Sequence, residues 1–232
     1  MDKIKVLLTG GSGTLGTEIL KLYDKEKYIF FAPSSSELNI IDYVTCLEWF
    51  SIYRPNLVIH SAAYTDVKDS EENFLRALNC NILGTVNILK CCERYNIKMV
   101  YISTDYVFDG DKGNYSIQDP INPITKYAKS KAAGELATRM YDNSLVVRTS
   151  FFKKQFPYEK ACVDQYSSKD YIDILAQKIL NSCLSDKLGI VHIGSTKRTI
   201  YEIAKIRNPN VKPIFRNDLK NKIPKDTSLE CE

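Results

Sequence analysis

The chain has 232 residues, of which 44% are hydrophobic and 26% are charged. That length supports one well-buried core but is too short for two large domains. The formal net charge of +4 is too small to indicate a nucleic-acid-binding surface, and no apolar run is long enough to cross a membrane. The N-terminus lacks the basic, apolar and small-residue order of a signal peptide, so we expect a cytoplasmic protein.

Cysteine and histidine usage gives no sign of a metal centre. Seven cysteines and two histidines are scattered along the chain without the spacing of metal ligands. Several cysteines fall inside predicted helices, where they serve as small core residues. We therefore predict no metal site and a reducing environment.

The first predicted unit is a strand, a glycine-rich turn and a helix. Residues 4–9 form a short apolar strand, and an amphipathic helix is predicted over about 15–23. The glycines between them permit a tight turn and close approach to a pyrophosphate, which the helix N-terminus also attracts. This context favours a dinucleotide-binding loop over a simple turn. The loop residues assigned to the cofactor are Gly10, Ser12, Gly13, Thr14, Leu15 and Gly16.

Strands and helices then alternate as far as about residue 193. The later strands are predicted at 28–32, 57–60, 99–103, 145–148 and 190–193. The helices are predicted at 43–53, 71–95 (interrupted only by Gly84), 125–140 and 171–182. This alternation predicts an α/β fold with a doubly wound parallel sheet of Rossmann type.

The predicted division places a dinucleotide-binding core at 1–150 and a small substrate-binding portion at 151–232. The second portion adds a late strand and helix to the core, so that the chain forms a single compact unit. From about residue 205 the sequence is rich in Lys, Arg, Asn and Pro. We expect an irregular lobe there, with a solvated charged face.

Polar residues follow several of the predicted strands directly, at 61–64, 103–105 and 149–150. Because ligands bind at the carboxyl ends of parallel strands, these segments should line one edge of the sheet. Tyr127 and Lys131 lie four residues apart, on the same face of a predicted helix. A lysine ammonium beside a phenol lowers the pKa of the phenol, and such a tyrosine can donate a proton to a carbonyl. The common alternative to a catalytic role is that Tyr127 and Lys131 are simply a solvated pair on the helix surface.

Together these motifs resemble the extended short-chain dehydrogenase/reductase superfamily, and within it the dTDP-4-dehydrorhamnose reductase family. The matching segments are residues 9–16, 62–65, 81–85, 103–108, 123, 127–131, 134–135 and 148–150. Weaker matches are found at 164–166 and 223–228.

The resemblance implies reduction of a nucleotide-linked 4-keto-6-deoxysugar by a nicotinamide cofactor. It implies that Tyr127 is the general acid and that Thr104 hydrogen-bonds the substrate carbonyl. It also implies that Lys131 lowers the pKa of Tyr127 and holds the nicotinamide ribose. The further substrate contacts that it implies are Asp105, Tyr106 and Phe151. The further cofactor contacts are Ser34, Ser35, Asn39, Ile40, Ala62, Ala63, Tyr64, Asn81 and Ser103. For Asn81, an exposed or locally bonded helical asparagine is the alternative.

Two departures from the family pattern bear on specificity. Residues 32–36 read Ala-Pro-Ser-Ser-Ser, with no carboxylate before Glu37 to bind a ribose 2′-hydroxyl. The hydroxyls can take a 2′-phosphate instead, so NADP(H) is favoured over NAD(H); a simple serine-rich turn is the alternative. The segment after residue 150 is shorter than the corresponding segment of the family usually is. Because that segment helps to enclose the sugar, the identity of the sugar stays open.

Two other functions remain open from the sequence. A nucleotide-sugar epimerase or epimerase/reductase uses the same Tyr/Lys pair, and a non-catalytic NADP-binding regulatory subunit needs only the cofactor site. The intact set of Thr104, Tyr127 and Lys131 argues against the regulatory subunit. The helices at 71–95 and 125–140 either cover the sheet or pair two subunits in a homodimer.

Overall fold

The structure is a computed structural model of the chain and describes residues 2–219 and 223–231. Its first half contains β1 (Ile4–Thr9), α1 (Thr14–Leu22), β2 (Tyr28–Phe31), α2 (Tyr43–Tyr53), β3 (Leu57–His60), α3 (Val67–Glu72), α4 (Phe74–Ala77), a π-helix (Leu78–Gly84), α5 (Thr85–Arg94) and β4 (Lys98–Ser103). A 3₁₀ turn follows at Asp105–Val107.

The second half contains α6 (Lys126–Thr138), β5 (Ser144–Thr149), β6 (Phe151–Phe152), β7 (Lys160–Cys162), β8 (Tyr166–Ser167), β9 (Asp170–Tyr171), α7 (Ile172–Leu184), β10 (Gly189–Ile193), β11 (Arg198–Thr199), α8 (Ile200–Lys205) and β12 (Lys212–Ile214).

Six parallel strands form the central sheet in the order β10-β5-β4-β3-β1-β2. The chain runs from β1 outward to β2 and then returns to β3 on the other side of β1. Between β1 and β3 the loops therefore diverge, and this is where doubly wound sheets bind their ligands. Thr9 is in register with His60, so the loops after β1 and β3 begin at the same level. The predicted doubly wound parallel sheet is confirmed.

Alternate residues of the strands enter two separate cores, one on each face of the sheet. Val6 and Leu8 pack in the layer that contains α1 and α7. Leu7 and Val58 pack in the layer that contains α2 and α5. Burial on both faces explains why consecutive residues such as Val6, Leu7 and Leu8 are all apolar rather than alternating with polar residues.

The predicted single helix over 71–95 is wrong. The chain leaves helical geometry at Asn73, where φ is −132° and ψ is 71°. It then passes through the π-helix before α5 begins. A π-helix inside a helical run commonly marks a functional position, and this one contains Asn81.

The C-terminal portion is built from pairs of short strands around the carboxyl edge of the sheet. β6 pairs with β9, β8 with β11, and β7 with β12. The late strand β10 joins the central sheet beside β5. In the predicted charged stretch, residues 220–222 lie outside the described residues.

Candidate active site

The loop after β1 forms a cradle that only glycine can line. Gly10 has a φ of +72°, and a Cβ there would lie 2.7 Å from the backbone nitrogen of Ala62. A Cβ on Gly16 would lie 2.5 Å from the carbonyl oxygen of Gly10. The N-cap residue of α1 is Gly13, which has no side chain to accept from the first-turn N–H groups. These N–H groups and the helix dipole therefore remain available for a pyrophosphate.

Two other residues of this loop, Ser12 and Leu15, differ in their burial. Ser12 is exposed beside Gly13, whereas the side chain of Leu15 is buried in the core. Leu15 therefore has only its backbone available for a cofactor. The predicted cofactor contacts of Ser12, Thr14 and Leu15 stay predictions.

A carboxylate lies beside the predicted 2′-phosphate site. The backbone nitrogen and the hydroxyl of Ser34 each donate a 2.8 Å hydrogen bond to Glu37 Oε2. These bonds lower the pKa of Glu37, which keeps the carboxylate charged. Ser34, Ser35 and Glu37 are all exposed. The sequence motifs do not assign Glu37 to the cofactor, although it stands only three residues after Ser34.

Asn39 and Ile40 lie on the segment that leads from this turn to α2. The Ile40 side chain packs against the π-helix, where a Cβ on Gly84 would lie 2.6 Å from Ile40 Cδ1. The Ile40 carbonyl accepts a 3.0 Å hydrogen bond from Asn87 Nδ2. Asn39 is exposed, and its side chain accepts from its neighbour Ile41 at 3.2 Å. Their predicted cofactor contacts stay predictions.

Asn81 joins the loop after β3 to α6. Its Oδ1 accepts from the Tyr64 backbone nitrogen at 2.7 Å, and its Nδ2 donates to the Tyr64 carbonyl and to Ser130 Oγ. It is fully buried, so the alternative of an exposed or locally bonded helical asparagine is wrong. Ala62 and Ala63 are half-buried on the loop that Asn81 holds. Asn81 therefore shapes one wall of the cradle.

Thr104 and Tyr127 meet at the carboxyl edge of β4. α6 begins at Lys126, and the hydroxyl of its N-cap residue Thr125 accepts a 3.1 Å hydrogen bond from Ala128 N. The Thr104 side chain interacts with Tyr127 in the direction that lowers the Tyr127 pKa. Burial raises the pKa of Tyr127 to about 12, while the nearby Lys169 ammonium opposes that rise. At neutral pH the phenol therefore carries its proton.

The Lys131 ammonium is bound against the end of β4. Its Nζ donates a 2.8 Å hydrogen bond to the Ile102 carbonyl and lies 4.1 Å from the centre of the Tyr101 ring. Burial lowers the pKa of Lys131 to about 7, and the neighbouring Cys80 and Glu135 oppose that fall. The expected lowering of the Tyr127 pKa is wrong for the chain by itself, because the burial that raises this pKa is the larger effect.

The Asp105 carboxylate connects several segments of the site through hydrogen bonds. Its buried carboxylate accepts hydrogen bonds from four hydroxyls, which belong to Thr104, Ser150, Ser167 and Thr227. These residues come from the ends of β4 and β5, from β8 and from the C-terminal segment. The carboxylate is thus occupied by the protein, and its predicted contact with the sugar stays a prediction.

Ser103 belongs to a second buried polar network. Its hydroxyl donates a 2.7 Å hydrogen bond to Glu135 Oε2. Glu135 in turn pairs with Arg148 at 2.6 Å, and Arg148 Nη1 lies 3.2 Å from His192 Nε2. This network joins β4, α6, β5 and β10 beneath the active edge. The predicted contact of Ser103 with the cofactor stays a prediction.

Lys169 is the site residue that the sequence analysis missed. Its Nζ lies 4.5 Å from the centre of the Tyr106 ring and 5.6 Å from that of Phe152. The predicted substrate residue Phe151 stands beside Phe152 on β6 and is half-buried. The sequence carries no signal for Lys169, because its neighbours come from separate segments that meet only in the folded chain.

Among residues 2–219 and 223–231, no helix is long and apolar enough to cross a membrane. The same described residues contain no group of three or more His, Cys, Asp or Glu placed to hold a metal ion. The seven cysteines are all free thiols.

Comparison with known proteins places the chain among sugar-nucleotide reductases. A dTDP-4-dehydrorhamnose reductase from Aggregatibacter actinomycetemcomitans is 31% identical over 201 residues, covering 84% of this chain and 68% of that protein. The spore coat polysaccharide biosynthesis protein SpsK of Bacillus subtilis is 37% identical over 213 residues, covering 83% of this chain and 74% of that protein.

Solved structures agree with this placement. A dTDP-4-dehydrorhamnose reductase from Bacillus anthracis, crystallised in complex with NADP, superimposes with a TM-score of 0.90 at 26% identity. The match covers 99% of this chain and 90% of that one. The predicted class, an NAD(P)-dependent oxidoreductase, is confirmed at the level of the family.

The family profile described as the RmlD substrate binding domain matches residues 4–205. That range includes the glycine cradle, Thr104, Tyr127 and Lys131. The chain therefore belongs to the RmlD family of the extended short-chain dehydrogenase/reductase superfamily, the family that its sequence motifs predicted.

Proposed function

We propose that the chain is an NADP(H)-dependent reductase of a nucleotide-linked 4-keto-6-deoxysugar. The observation that carries this proposal is that Thr104, directly after β4, and Tyr127, in the first turn of α6, interact at the sheet edge that also carries the glycine cradle. The relatives named dTDP-4-dehydrorhamnose reductase support the substrate class. The cradle at Gly10 and Gly16 fits a dinucleotide, because its backbone is open where a side chain would block the phosphates.

The bound nicotinamide supplies the hydride that arrives at C4 of the sugar. Thr104 turns the hydroxyl proton that it donates to Asp105 in the structure toward the C4 carbonyl oxygen, where negative charge develops. Tyr127 transfers its phenolic proton to the same oxygen, so that the ketone becomes an alcohol and the phenol becomes a phenolate. A preorganised donor at such an oxygen is typically worth about 3 kcal/mol of transition-state stabilisation.

The protonation state of Tyr127 suits a general acid. With a pKa of about 12, raised by burial, the phenol holds its proton throughout the neutral range. Lys131 Nζ uses one N–H on the Ile102 carbonyl, which leaves its other hydrogens for the ribose hydroxyls of the cofactor. In this proposal Lys131 binds and orients the cofactor.

For the cofactor we propose a preference for NADP(H) over NAD(H). The exposed hydroxyls of Ser34 and Ser35, at the carboxyl end of β2, support it as donors to a 2′-phosphate. Glu37 opposes it, because its carboxylate already accepts from Ser34 and repels a phosphate. The preference that we propose is therefore a modest one. The free cysteines fit the reducing, cytoplasmic setting that we also propose.

The test is an assay of dTDP-, UDP- and GDP-linked 4-keto-6-deoxysugars with NADPH and NADH side by side. We expect oxidation of NADPH with at least one of them. Tyr127→Phe should lower kcat by about 100-fold or more, as expected for loss of a general acid. The matched control is Tyr158→Phe, because Tyr158 is exposed and lies away from the cradle.

Three outcomes separate the functions considered. A chain that binds the cofactor but turns over none of these sugars contradicts the proposal. Tightly held cofactor with sugar epimerisation and no net oxidation indicates an epimerase. A Tyr127→Phe variant that keeps full activity rules out the proposed proton transfer.

A further inference from the structure

His60 is the last residue of β3, and its completely buried imidazole is hydrogen-bonded on both sides. Its Nδ1 lies 2.7 Å from Thr9 Oγ1, at the end of β1. Its Nε2 lies 3.1 Å from Thr85 Oγ1, where the π-helix ends and α5 begins. The two threonines are buried as well. The proposed transfer of hydride and proton does not use this imidazole, so its two fixed contacts need another explanation.

The two threonine hydroxyls determine which ring nitrogen of His60 carries the hydrogen. Thr85 has one hydroxyl hydrogen, which it donates to the Asn81 carbonyl at 2.7 Å. Thr85 can then only accept from His60, so Nε2 carries the N–H. Nδ1 is left to accept from Thr9, whose oxygen accepts in turn from the Ala62 backbone nitrogen at 3.2 Å. In the opposite tautomer, Nε2 and the Asn81 carbonyl would compete for the one hydrogen of Thr85.

The His60 imidazole is neutral at working pH. Burial lowers the pKa of His60 to about 3, and the positive charge of Lys131 contributes to the fall. A protonated ring would carry a hydrogen on both nitrogens, and Nδ1 could then no longer accept from Thr9. The neutral ring is therefore the form that matches both of its partners.

His192 provides a contrast within the same chain. Its Nδ1 lies 3.2 Å from the Glu230 carbonyl, and its Nε2 lies 3.2 Å from Arg148 Nη1. A carbonyl only accepts and a guanidinium only donates, so the hydrogen of a neutral His192 is on Nδ1. The two histidines thus have opposite tautomers, and each tautomer is set by the neighbouring groups.

The bonds of His60 connect the cofactor cradle with the π-helix. On the cradle side, Thr9 directly precedes Gly10, and a Cβ on Gly10 would lie 2.7 Å from Ala62 N. On the helix side, Thr85 holds the carbonyl of Asn81, the residue that shapes one wall of the cradle. His60 therefore bridges the two parts of the chain between which the cradle lies.

The connection continues from Asn81 into α6. Asn81 Nδ2 donates a 2.8 Å hydrogen bond to Ser130 Oγ, and this hydroxyl donates to the Tyr127 carbonyl at 2.7 Å. A shift of Asn81 would therefore be felt both at the loop after β3 and in the first turn of α6.

We propose that His60 is a positioning residue of the cofactor site: as the Nε2–H tautomer, it ties the end of β1 to the π-helix and so fixes where Asn81 holds the cradle wall. This role rests on the proposed binding of NADP(H) at the cradle. The imidazole keeps its hydrogen throughout the reaction and acts only through Thr85 and Asn81. Because the wall is held in place beforehand, binding energy of the cofactor is not spent on ordering it.

Nitrogen NMR of the ¹⁵N-histidine-labelled chain at pH 7 tests the tautomer without substrate or cofactor. Protonated and unprotonated ring nitrogens resonate in separate regions, and the chain has only two histidines. We expect His60 to carry its hydrogen on Nε2 and His192 on Nδ1, so that each ring is a control for the other. His60→Gln assigns the signals, and His192→Gln does so if His60→Gln does not fold. A His60 ring protonated on Nδ1 overturns the proposal.

Thr85→Val tests the positioning role. It removes the hydroxyl between His60 and the Asn81 carbonyl and largely keeps the shape of the side chain. We expect the dissociation constant of NADPH to rise about 10-fold, equivalent to about 1.4 kcal/mol. Thr85→Ser keeps the hydroxyl and should bind NADPH nearly as well as the wild type. In Thr85→Val the His60 hydrogen should move toward Nδ1, because Nε2 has lost its hydroxyl partner while Thr9 can still accept.

The matched control is Thr138→Val in α6. Thr138 is as completely buried as Thr85, and its hydroxyl likewise bonds the carbonyl four residues before it, at 2.8 Å. The two valine variants should therefore lose similar free energies of unfolding, and only Thr85→Val should bind NADPH more weakly.

Two results separate this role from the proposed reaction. Equal NADPH affinities in the folded Thr85→Val and Thr138→Val variants overturn the role of His60, even if the wild type reduces a sugar. A wild type that binds NADPH but reduces none of the sugars contradicts the proposed reductase, while the comparison of NADPH affinities still decides the role of His60.

Discussion

Thr227 Oγ1 donates a 2.8 Å hydrogen bond to Asp105 Oδ2 across 122 residues of sequence. Both residues are buried, and Asp105 also accepts from Thr104, whose side chain interacts with Tyr127. The C-terminal segment is therefore connected to the proposed acid through one carboxylate. Because the active edge consists of loops from distant parts of the chain, a buried carboxylate shared among them is what sets their relative positions.

Thr227→Val tests this connection. It removes one of the hydroxyl donors from a buried carboxylate without changing the shape of the side chain greatly. We expect a loss of about 1–3 kcal/mol in the free energy of unfolding, because hydrogen bonds to buried charged groups are the costly ones to lose. Urea denaturation measures it, with unchanged m-value as the sign of a folded variant.

The control for Thr227→Val is Thr196→Val, at an exposed threonine of the loop before β11. Its free energy of unfolding should change by no more than about 0.5 kcal/mol, as is usual for exposed positions. Equal losses in the two variants would mean that the Asp105 cluster contributes nothing beyond the general cost of the substitution.

Comparison of Gly10→Ala with Gly189→Ala separates two effects at the cradle: the strain of a left-handed backbone and the steric clash of a new Cβ with Ala62. Both glycines have a left-handed φ, +72° and +83°, so both substitutions carry a strain of about 1–3 kcal/mol. At Gly10 the new Cβ would also lie 2.7 Å from Ala62 N, whereas at Gly189 it meets nothing within 4 Å.

We expect Gly10→Ala to destabilise the chain more than Gly189→Ala and to weaken NADPH binding by at least about 10-fold, since about 1.4 kcal/mol of lost interaction has that effect. Gly189→Ala should leave NADPH affinity unchanged. Thermal unfolding and fluorescence titration measure the two quantities. Comparable NADPH affinities in the two variants would exclude the cradle as the pyrophosphate site.

The sequence was sufficient for the elements that local chemistry decides. The strand at 57–60 is apolar at each position except its last, and the structure places β3 at Leu57–His60. The helix at 43–53 follows Asp42, whose carboxylate caps it by accepting from Val44 and Thr45. In both cases the signal lies within the segment itself, so no distant contact was needed to predict it.

Elements that depend on distant contacts escaped prediction. The helix expected over 71–95 is broken at Asn73, and its π-helical part contains Asn81. Asn81 is held by Tyr64 and Ser130, and such tertiary hydrogen bonds leave no periodic trace in sequence. Lys169 was missed for the same reason. The proximity of Lys169 to Tyr106 arises only when the β8–β9 turn folds over the end of β4.

Glu37→Gln tests what sets the cofactor preference. The substitution removes the negative charge beside Ser34 while keeping a group that can bond to its hydroxyl. A 2′-phosphate would then meet less repulsion, so we expect NADPH to bind several-fold more tightly while NADH binds equally or less well. Because Glu37 is exposed and solvent screens its charge, we expect the change to stay within roughly fivefold.

Measured dissociation constants for both cofactors at the same ionic strength decide this question. Glu48→Gln, on the exposed side of α2, is the control for a general change in net charge. If Glu37→Gln alters both affinities in parallel, the carboxylate does not discriminate between the cofactors. Another residue must then distinguish the 2′-phosphate of NADPH from the 2′-hydroxyl of NADH.

We expect the Lys131→Met substitution to stabilise the fold but abolish turnover, with a gain in stability that depends on pH. Burial lowers the pKa of Lys131 to about 7 from an ordinary value of 10.5. Between these two values the unfolded chain holds a proton that the native chain has released. The free energy of unfolding therefore rises with pH across this window, by up to about 1.4 kcal/mol per unit from this group alone.

The Lys131→Met variant lacks that contribution. At about pH 7 and below, where the buried ammonium destabilises the native chain in full, the variant should gain most relative to the wild type. The gain should shrink as the pH rises toward 10, while turnover is lost at every pH because the cofactor ribose loses its partner. Lys160→Met is the control, since the exposed ammonium of Lys160 is solvated in both states. A difference in unfolding free energy that stays constant from pH 6 to pH 10 would mean that Lys131 keeps its proton when buried.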